Sequence, residues 1–175
     1  MRTHRRVPRA RTVVCAGEVT LIWARGQECG TLEAMRIVVC VKHVPDMQSE
    51  RRFEGGRLVR GEDDVLNELD ENAIEAAVQL KESEEDAGRE AEVIALTMGP
   101  EDAEDALMRA LQMGADRAFL VSDEFLEGSD VITTASVLSV AIAKISDECG
   151  PVDLVVTGMA SLDAMTSMLP GALAA

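Results

Sequence analysis

The residues of this chain whose types and spacing suit chemistry lie where two apolar runs give way to loops. The first run is IVVCVKHVPD, residues 37–46, and the second is PVDLVVTGMASLDAMTSMLP, residues 151–170. The second joins Gly158 to the hydroxyls of Ser161, Thr166 and Ser167 and the carboxylate of Asp163. A strand feeding a small-residue loop and then a helix N-terminus is a common anion holder. Backbone N–H groups point outward there, and the helix dipole favours negative charge. Gly158, with no side chain, is expected to let a ligand approach the backbone. Thr166, read at the start of a helix, is expected to reach a phosphate. Ser161 and Thr166 also suit plain helix caps. Asn67 suits either a cap or a hydrogen bond to a purine edge.

Other chemistries find little support. No GxGxxG follows the first strand, and no GxxxxGK[ST] occurs. His43 is the only histidine after Met35, and neither a GxSxG elbow nor a local acid–base pair supports a hydrolytic triad. The four cysteines, Cys15, Cys29, Cys40 and Cys149, form no CxxC pair and no Cys/His spacing. They read as reduced thiols of a cytosolic protein, and no metal site is expected. The carboxylate runs Asp63-Asp64 and Glu84-Glu85-Asp86 read as solvated faces, and the nine methionines as core filler. No catalytic residue is assigned.

Composition narrows the partners. With 175 residues and 47% apolar content, the chain suits one domain with a substantial core. Aromatics make up 2%, with no tyrosine, and the net charge is −15; both argue against nucleic acid. No apolar run approaches the ~20 residues that span a bilayer, so no membrane insertion is expected. Charge is uneven: six Arg against three Glu before Met35, and 11 basic against 29 acidic residues from Met35 on. Residues 1–34 therefore read as a non-homologous, disordered extension, with Met35 as the functional start. The extension lacks the unbroken apolar stretch of a secretory signal. As a transit peptide it would place the protein in the mitochondrial matrix rather than the cytoplasm.

The elements that position these residues follow from periodicity. Residues 37–41 form an apolar, β-branched strand of the kind covered on both faces. Residues 43–60, with Pro45, Gly55 and Gly56, read as a long loop or loose hairpin. Leu69, Ala73, Ala76, Ala77 and Leu80 mark a helix over 67–85, with Asp64 or Asn67 as its cap. A second strand spans 92–98. Gly99-Pro100 then opens a helix that ends at Gly114. A third strand covers 117–121, and Ser129 or Asp130 opens a helix to about 146. The fourth strand, 153–157, reads as buried, and a helix is expected to start near Thr166. Alternating strands and helices predict an α/β fold: a doubly wound, Rossmann-like parallel sheet with helices on both faces. The expected strand order is 3-2-1-4, which places the ligand crevice between the loops after strands 1 and 4. The pattern stops after strand 4, so domain 35–175 reads as incomplete at its C-terminus.

Several segments resemble the beta subunit of electron transfer flavoprotein. MRIVVCVKHVPD is similar to that family's first strand and loop, and NELDENAIEAAVQLKE to its first helix. MGPEDAEDALMRALQMGADRA is the most specific piece, and VDLVVTGMASLD matches the fourth strand and nucleotide loop. The resemblance runs from Met35 to about Pro170. It implies a fold like that of the adenine nucleotide alpha hydrolases and universal stress proteins. It also implies an electron carrier subunit without catalysis of its own. Such a subunit pairs with an alpha subunit that holds most of the FAD contacts. The pair takes electrons from flavoprotein dehydrogenases, such as those of fatty acid oxidation, and passes them to a membrane quinone oxidoreductase. The beta subunit binds AMP structurally, or a second FAD in bifurcating branches. Carried over by motif, the nucleotide contacts are Cys40, then Asn67, Glu68, Leu69 and Asp70 at the helix start, and Met98. The loop supplies Gly158, Met159, Ala160, Ser161, Leu162 and Asp163, followed by Ala164, Met165 and Thr166. Two alternatives stand beside this reading. One is a stand-alone adenine-nucleotide module resembling universal stress proteins, and the other is an inactive fragment. An adenylating enzyme would need a pyrophosphate loop after strand 1, and VKHVPD is not one.

Overall fold

The computed structural model describes residues 11–14, 20–23, 34–61 and 63–175. Its centre is a six-stranded sheet. The strands are β1 (Arg11–Val14), β2 (Thr20–Trp23), β3 (Met35–Cys40), β8 (Ala91–Met98), β9 (Arg117–Ser122) and β10 (Leu154–Thr157). Their order is β1-β2-β9-β8-β3-β10. The four strands from β9 to β10 are parallel and reproduce the expected 3-2-1-4 order. Ile37, Val38, Val39, Val93, Ile94, Ala95 and Leu96 are wholly buried. Strands covered on both faces favour such unbroken apolar runs over alternation. Burying each large aliphatic side chain stabilises the fold by about 1.5–3 kcal/mol.

Two helical layers cover the sheet. On one face, α1 (Glu68–Asp86) and α2 (Glu104–Gln112) pack Ala73, Ile74, Ala77 and Leu107 against Ile37, Val39 and Val41. On the other, α3 (Val131–Cys149) packs Leu138, Ala141 and Ile145 against Val38, Cys40 and Phe119. The short α4 (Leu169–Leu173) joins this second layer through Leu169 and Leu173. Asp130 opens α3 as expected, its Oδ1 accepting the Thr133 N–H at 2.8 Å. Between Gly99 and α2 runs a single 3₁₀ turn, Glu101–Ala103. The backbones are close there: a Cβ on Gly99 would lie 2.9 Å from the Ala103 Cβ.

Four features depart from the expectations. First, residues 1–34 were read as lying outside the fold. β1 and β2 instead form an antiparallel pair, and β2 pairs antiparallel with β9. The short run TLIW of β2 thus satisfies backbone groups along an otherwise open edge of β9, and β1 pairs in turn with β2. Residues 1–10, 15–19 and 24–33 lie outside the described residues.

Second, β10 is not buried. Leu154 and Val155 are each 38% exposed, because β10 pairs only with β3 and edges the sheet among the described residues. Third, of the two readings of the 43–60 segment, a long loop or a loose hairpin, the structure takes the hairpin and makes it more regular than expected. β4 (His43–Pro45) pairs antiparallel with β7 (Asp64–Leu66). Between them β5 (Phe53–Glu54) and β6 (Arg57–Leu58) form a hairpin. Its turn, Gly55-Gly56, has φ of 57° and 80°, the left-handed backbone that tight hairpin turns demand.

Fourth, no helix begins near Thr166. Met165 and Ser167 both have φ of 52°, outside helical space, so α4 starts three residues later than expected, at Leu169.

Candidate functional site

The register of the parallel strands assembles the site. Thr157 lies beside Cys40, and Cys40 beside Leu96, so the loops leaving β3 and β10 start at one level. From β3 the chain steps through β8 to β9, with α1 and α2 on one face. α3 then returns across the opposite face and lays β10 on the other side of β3. This reversal opens a crevice at the carboxyl ends of β3 and β10.

The loop after β10 is pinned to the start of α1 by two side chains. Asn67 is fully buried at the N-cap position, but its side chain makes no capping bond. Its Nδ2 instead donates to the Ala160 carbonyl at 2.9 Å, and its Oδ1 accepts the Leu162 N–H at 3.0 Å. Asn67 is thus not the side-chain cap of α1 that its type suggested; it pins the loop after β10. The alternative cap, Asp64, lies in β7. Asp70, one turn into α1, accepts the Lys42 backbone N–H at 2.8 Å. It thereby ties the end of β3 to the same helix. Burial pushes the Asp70 carboxyl up to about 6, although hydrogen bonds from Lys42, Asn67 and Gly158 pull the other way.

Gly158 is required for a reason other than ligand access. A Cβ there would lie 2.2 Å from Asp70 Oδ1 and 2.9 Å from the Leu69 carbonyl oxygen. The space that its missing side chain leaves is filled by α1, so loop and helix start pack closely there.

On the outer side of the loop stands an ion cluster. Lys42 Nζ donates to both oxygens of Asp163, at 2.9 and 3.0 Å, and lies 3.5 Å from Ser161 Oγ. Arg60 pairs with the same carboxylate. Arg51 donates to the Leu162 carbonyl at 3.3 Å. The Asp163 side chain is 2% exposed, while those of Lys42 and Arg60 are 41% and 39% exposed. Burial alone would raise the Asp163 carboxyl. The hydrogen bonds from Lys42, Arg60 and Ser161 outweigh it and hold the group well below the usual carboxylate range.

The predicted residues divide accordingly. Asn67, Asp70, Gly158, Ala160, Ser161, Leu162 and Asp163 meet around the crevice. Leu69 adds a backbone carbonyl beneath Gly158. Cys40 is buried at the end of β3, its thiol pushed up to about 12 by burial and then by the Asp70 charge. Met98 ends β8, on the side of β3 away from β10, and packs against the α3 layer. Glu68, Met159, Ala164, Met165 and Thr166 are exposed, and Thr166 is not at a helix N-terminus. Sequence reasoning missed Lys42, Arg51 and Arg60. One signal was available: in an acidic chain, four arginines fall within residues 51–60, and Lys42 follows directly on the first apolar strand.

Fold and crevice define a doubly wound α/β protein, with its pinned loop and cations at the switch point where such sheets take ligands. The chain belongs to the electron transfer flavoprotein family: the family described as "Electron transfer flavoprotein domain" matches residues 56–175. It is 40% identical over 140 residues to Protein FixA of Azorhizobium caulinodans, covering 78% of this chain and 48% of that protein. It is 40% identical over 141 residues to the electron transfer flavoprotein subunit beta of Mycobacterium bovis, covering 79% of this chain and 52% of that protein. The subunit beta of Megasphaera elsdenii is 38% identical over 140 residues, covering 77% of this chain and 50% of that protein. The resemblance read from the sequence is borne out. The chain spans about half the length of the curated relatives it matches. Among the described residues, no helix is long and apolar enough to cross a membrane.

Proposed function

We propose that this chain is the nucleotide-holding part of an electron transfer flavoprotein beta subunit. In this reading it carries no catalysis of its own. It pairs with an alpha subunit whose FAD accepts and releases the electrons. Flavoprotein dehydrogenases donate to the pair, and a quinone oxidoreductase receives from it. The observation that carries the reading is the pinned loop of residues 158–163, held beside the end of β3 by Asn67 and Asp70. Its ligand is an adenine nucleotide, AMP in the simplest case and a second FAD in the bifurcating one. The donor set suits such an anion: Lys42, Arg51 and Arg60 surround the loop, and Ser161 adds a hydroxyl. In this reading the chain's own residues bind and orient the nucleotide.

The test is co-expression with an alpha subunit of the family, followed by purification on a tag carried by this chain. A complex with flavin absorbance is expected, and denaturing it should release AMP, identified by mass spectrometry. Release of FAD at a ratio of two per pair would support the bifurcating form. If this chain forms no complex with the alpha subunit, the reading is wrong.

A further inference from the structure

We propose that residues 51–60 form a strap across the carboxyl edge of the sheet, which opens and closes over the crevice and so gates exchange of the nucleotide held there. This rests on the nucleotide-binding reading above. The chain between β3 and α1 is built as two separate ribbons. The root ribbon, β4 with β7, buries Val44 and Leu66, and Leu66 joins the core beneath α1 and α2. It extends as far as the bond from the Asp46 N–H to the Asp63 carbonyl, at 2.9 Å. The outer ribbon, β5 with β6, starts at the bond from the Val59 N–H to the Arg52 carbonyl, also at 2.9 Å. Between the two, the outgoing chain turns at Asp46, whose Oδ1 accepts the Gln48 N–H and whose carbonyl accepts the Ser49 N–H. The returning chain passes Gly61, at φ of 85°. A turn facing a left-handed glycine makes a joint, on which the outer ribbon can pivot while both ribbons stay paired.

The outer ribbon meets the body of the protein at two places. On one side Arg60 pairs with Asp163 and Arg51 donates to the Leu162 carbonyl, both in the loop after β10. On the other, Arg57 lies 3.5 Å from Glu127, in the loop after β9. The Arg57 guanidinium also covers Gly128, where a Cβ would come within 3.0 Å of it. β8 and β3 stand between β9 and β10. The two loops are thus three strand spacings apart, about 14 Å, and the ribbon that joins them crosses the ends of β3 and β8. Its two holds are unequal. Arg60 reaches a buried carboxylate that Lys42 also grips. Arg51 meets only a carbonyl, and shares its surface with Asp46, Glu50, Asp63 and Asp64. Arg57 and Glu127 are 71% and 83% exposed, and Glu54, opposite Arg57 in the ribbon, offers the same guanidinium a second carboxylate. An exposed pair of this kind changes an equilibrium by no more than about fivefold. The β9 end therefore releases first. Arg60, next to the joint, stays in place, and Arg57 acts as the catch.

The test uses the full chain carrying Cys15→Ser and Cys29→Ser, in which Cys40 and Cys149 remain buried. Arg57→Cys with Glu127→Cys, linked by a bismaleimide, fastens the catch, and Glu127→Arg opens it. Stopped flow with a fluorescent AMP analogue reads the exchange. In the linked protein the association and dissociation rates should both fall, by one common factor, with Kd unchanged from the unlinked pair. Glu127→Arg should raise both rates by about two- to fivefold, the scale of an exposed ion pair. Exchange as fast in the linked as in the unlinked protein would overturn the proposal. So would a changed Kd at an unchanged association rate, because the ribbon would then be a wall of the site and not its gate. Limited trypsin digestion reads the strap without nucleotide. Cleavage after Arg51 and Arg52 should be faster in Glu127→Arg, and slower in the linked protein, than in the unsubstituted chain. Equal cleavage in all three would overturn the strap itself. If cleavage follows the catch but the unsubstituted chain binds no AMP, the nucleotide reading fails, and the gating with it. Positions 57 and 127 are exposed, so these changes are compatible with folding, and matched melting temperatures would verify it.

Discussion

Gly158 and Asp70 share one small volume, and each constrains the other. Replacing Gly158 with Ala forces a methyl group against a carboxylate oxygen and a backbone carbonyl. The carboxylate can yield only by disturbing the bond it accepts from the Lys42 N–H, and the carbonyl only by moving the first turn of α1. We expect Gly158→Ala to destabilise the protein by about 1–3 kcal/mol, measured by urea denaturation. A neutral result would show that helix and loop are less closely packed than described. Asp70 makes a pH-dependent contribution of definite sign. Its folded value, about 6, lies above the 3.8 of an unperturbed Asp. The folded state therefore binds the proton more tightly. The stability it contributes is complete below about pH 4 and is lost as pH rises through about 6. The difference in unfolding free energy between the native chain and Asp70→Asn should thus fall by about 3 kcal/mol from pH 4 to 7.5. Comparing the two chains cancels the opposite trend from Asp163, whose contribution is present at neutral pH and lost in acid. A flat difference would remove Asp70 from the account. At this scale the sequence showed which residues gather but not what they do. Asn67 and Asp163 were legible as polar groups near strand ends. Their partners, the Ala160 carbonyl and Lys42, stand 93 and 121 residues away, beyond any local pattern.

Among the elements, β10 shows best where local reading succeeds and where it stops. Its apolar run was recognisable as a strand, and its place beside β3 followed from the βα alternation. Its burial did not follow, because burial depends on what lies beyond an edge, and Leu-Val-Val reads the same with or without an outer neighbour. Among the described residues nothing pairs with its outer side, and Leu154 and Val155 stay partly exposed. Unpaired apolar edges pair with one another. The 175-residue chain should therefore self-associate as its concentration rises, and Val155→Lys should suppress this in sedimentation velocity. Equal association of the two proteins would locate the contact elsewhere. Helix ends were read with similar unevenness. Asp130 was found as a cap because its bond to Thr133 spans three residues. The start near Thr166 was misplaced because small polar residues suit a helix entry and a left-handed turn alike.

For the molecule as a whole, the parallel core of the sheet and its order were legible from Met35 onward, since periods of 2 and 3.6 and short connections determine them. β1 and β2 were not, because the pairing of β2 to β9 joins segments about 100 residues apart, and β1 follows only through β2, in a composition unlike the remainder. The charge distribution shows the same limit. The net value of −15 pointed away from nucleic acid, and it could not show that the fold sets Lys42 and Arg60 together on Asp163.

The carboxamide of Asn67 offers one N–H and one C=O to the Ala160–Leu162 stretch, as a peptide group of a neighbouring strand would. A single side chain thereby supplies one rung of a ladder that no strand provides. The amide proton of Leu162 should then exchange with solvent only when the first turn of α1 opens. In deuterium-exchange measurements its protection should match that of the α1 N-terminus rather than that of the exposed residues after it. Asn67→Ala should abolish this protection while leaving that of β3 intact. Fast exchange at Leu162 in the native chain would mean that loop and helix move independently.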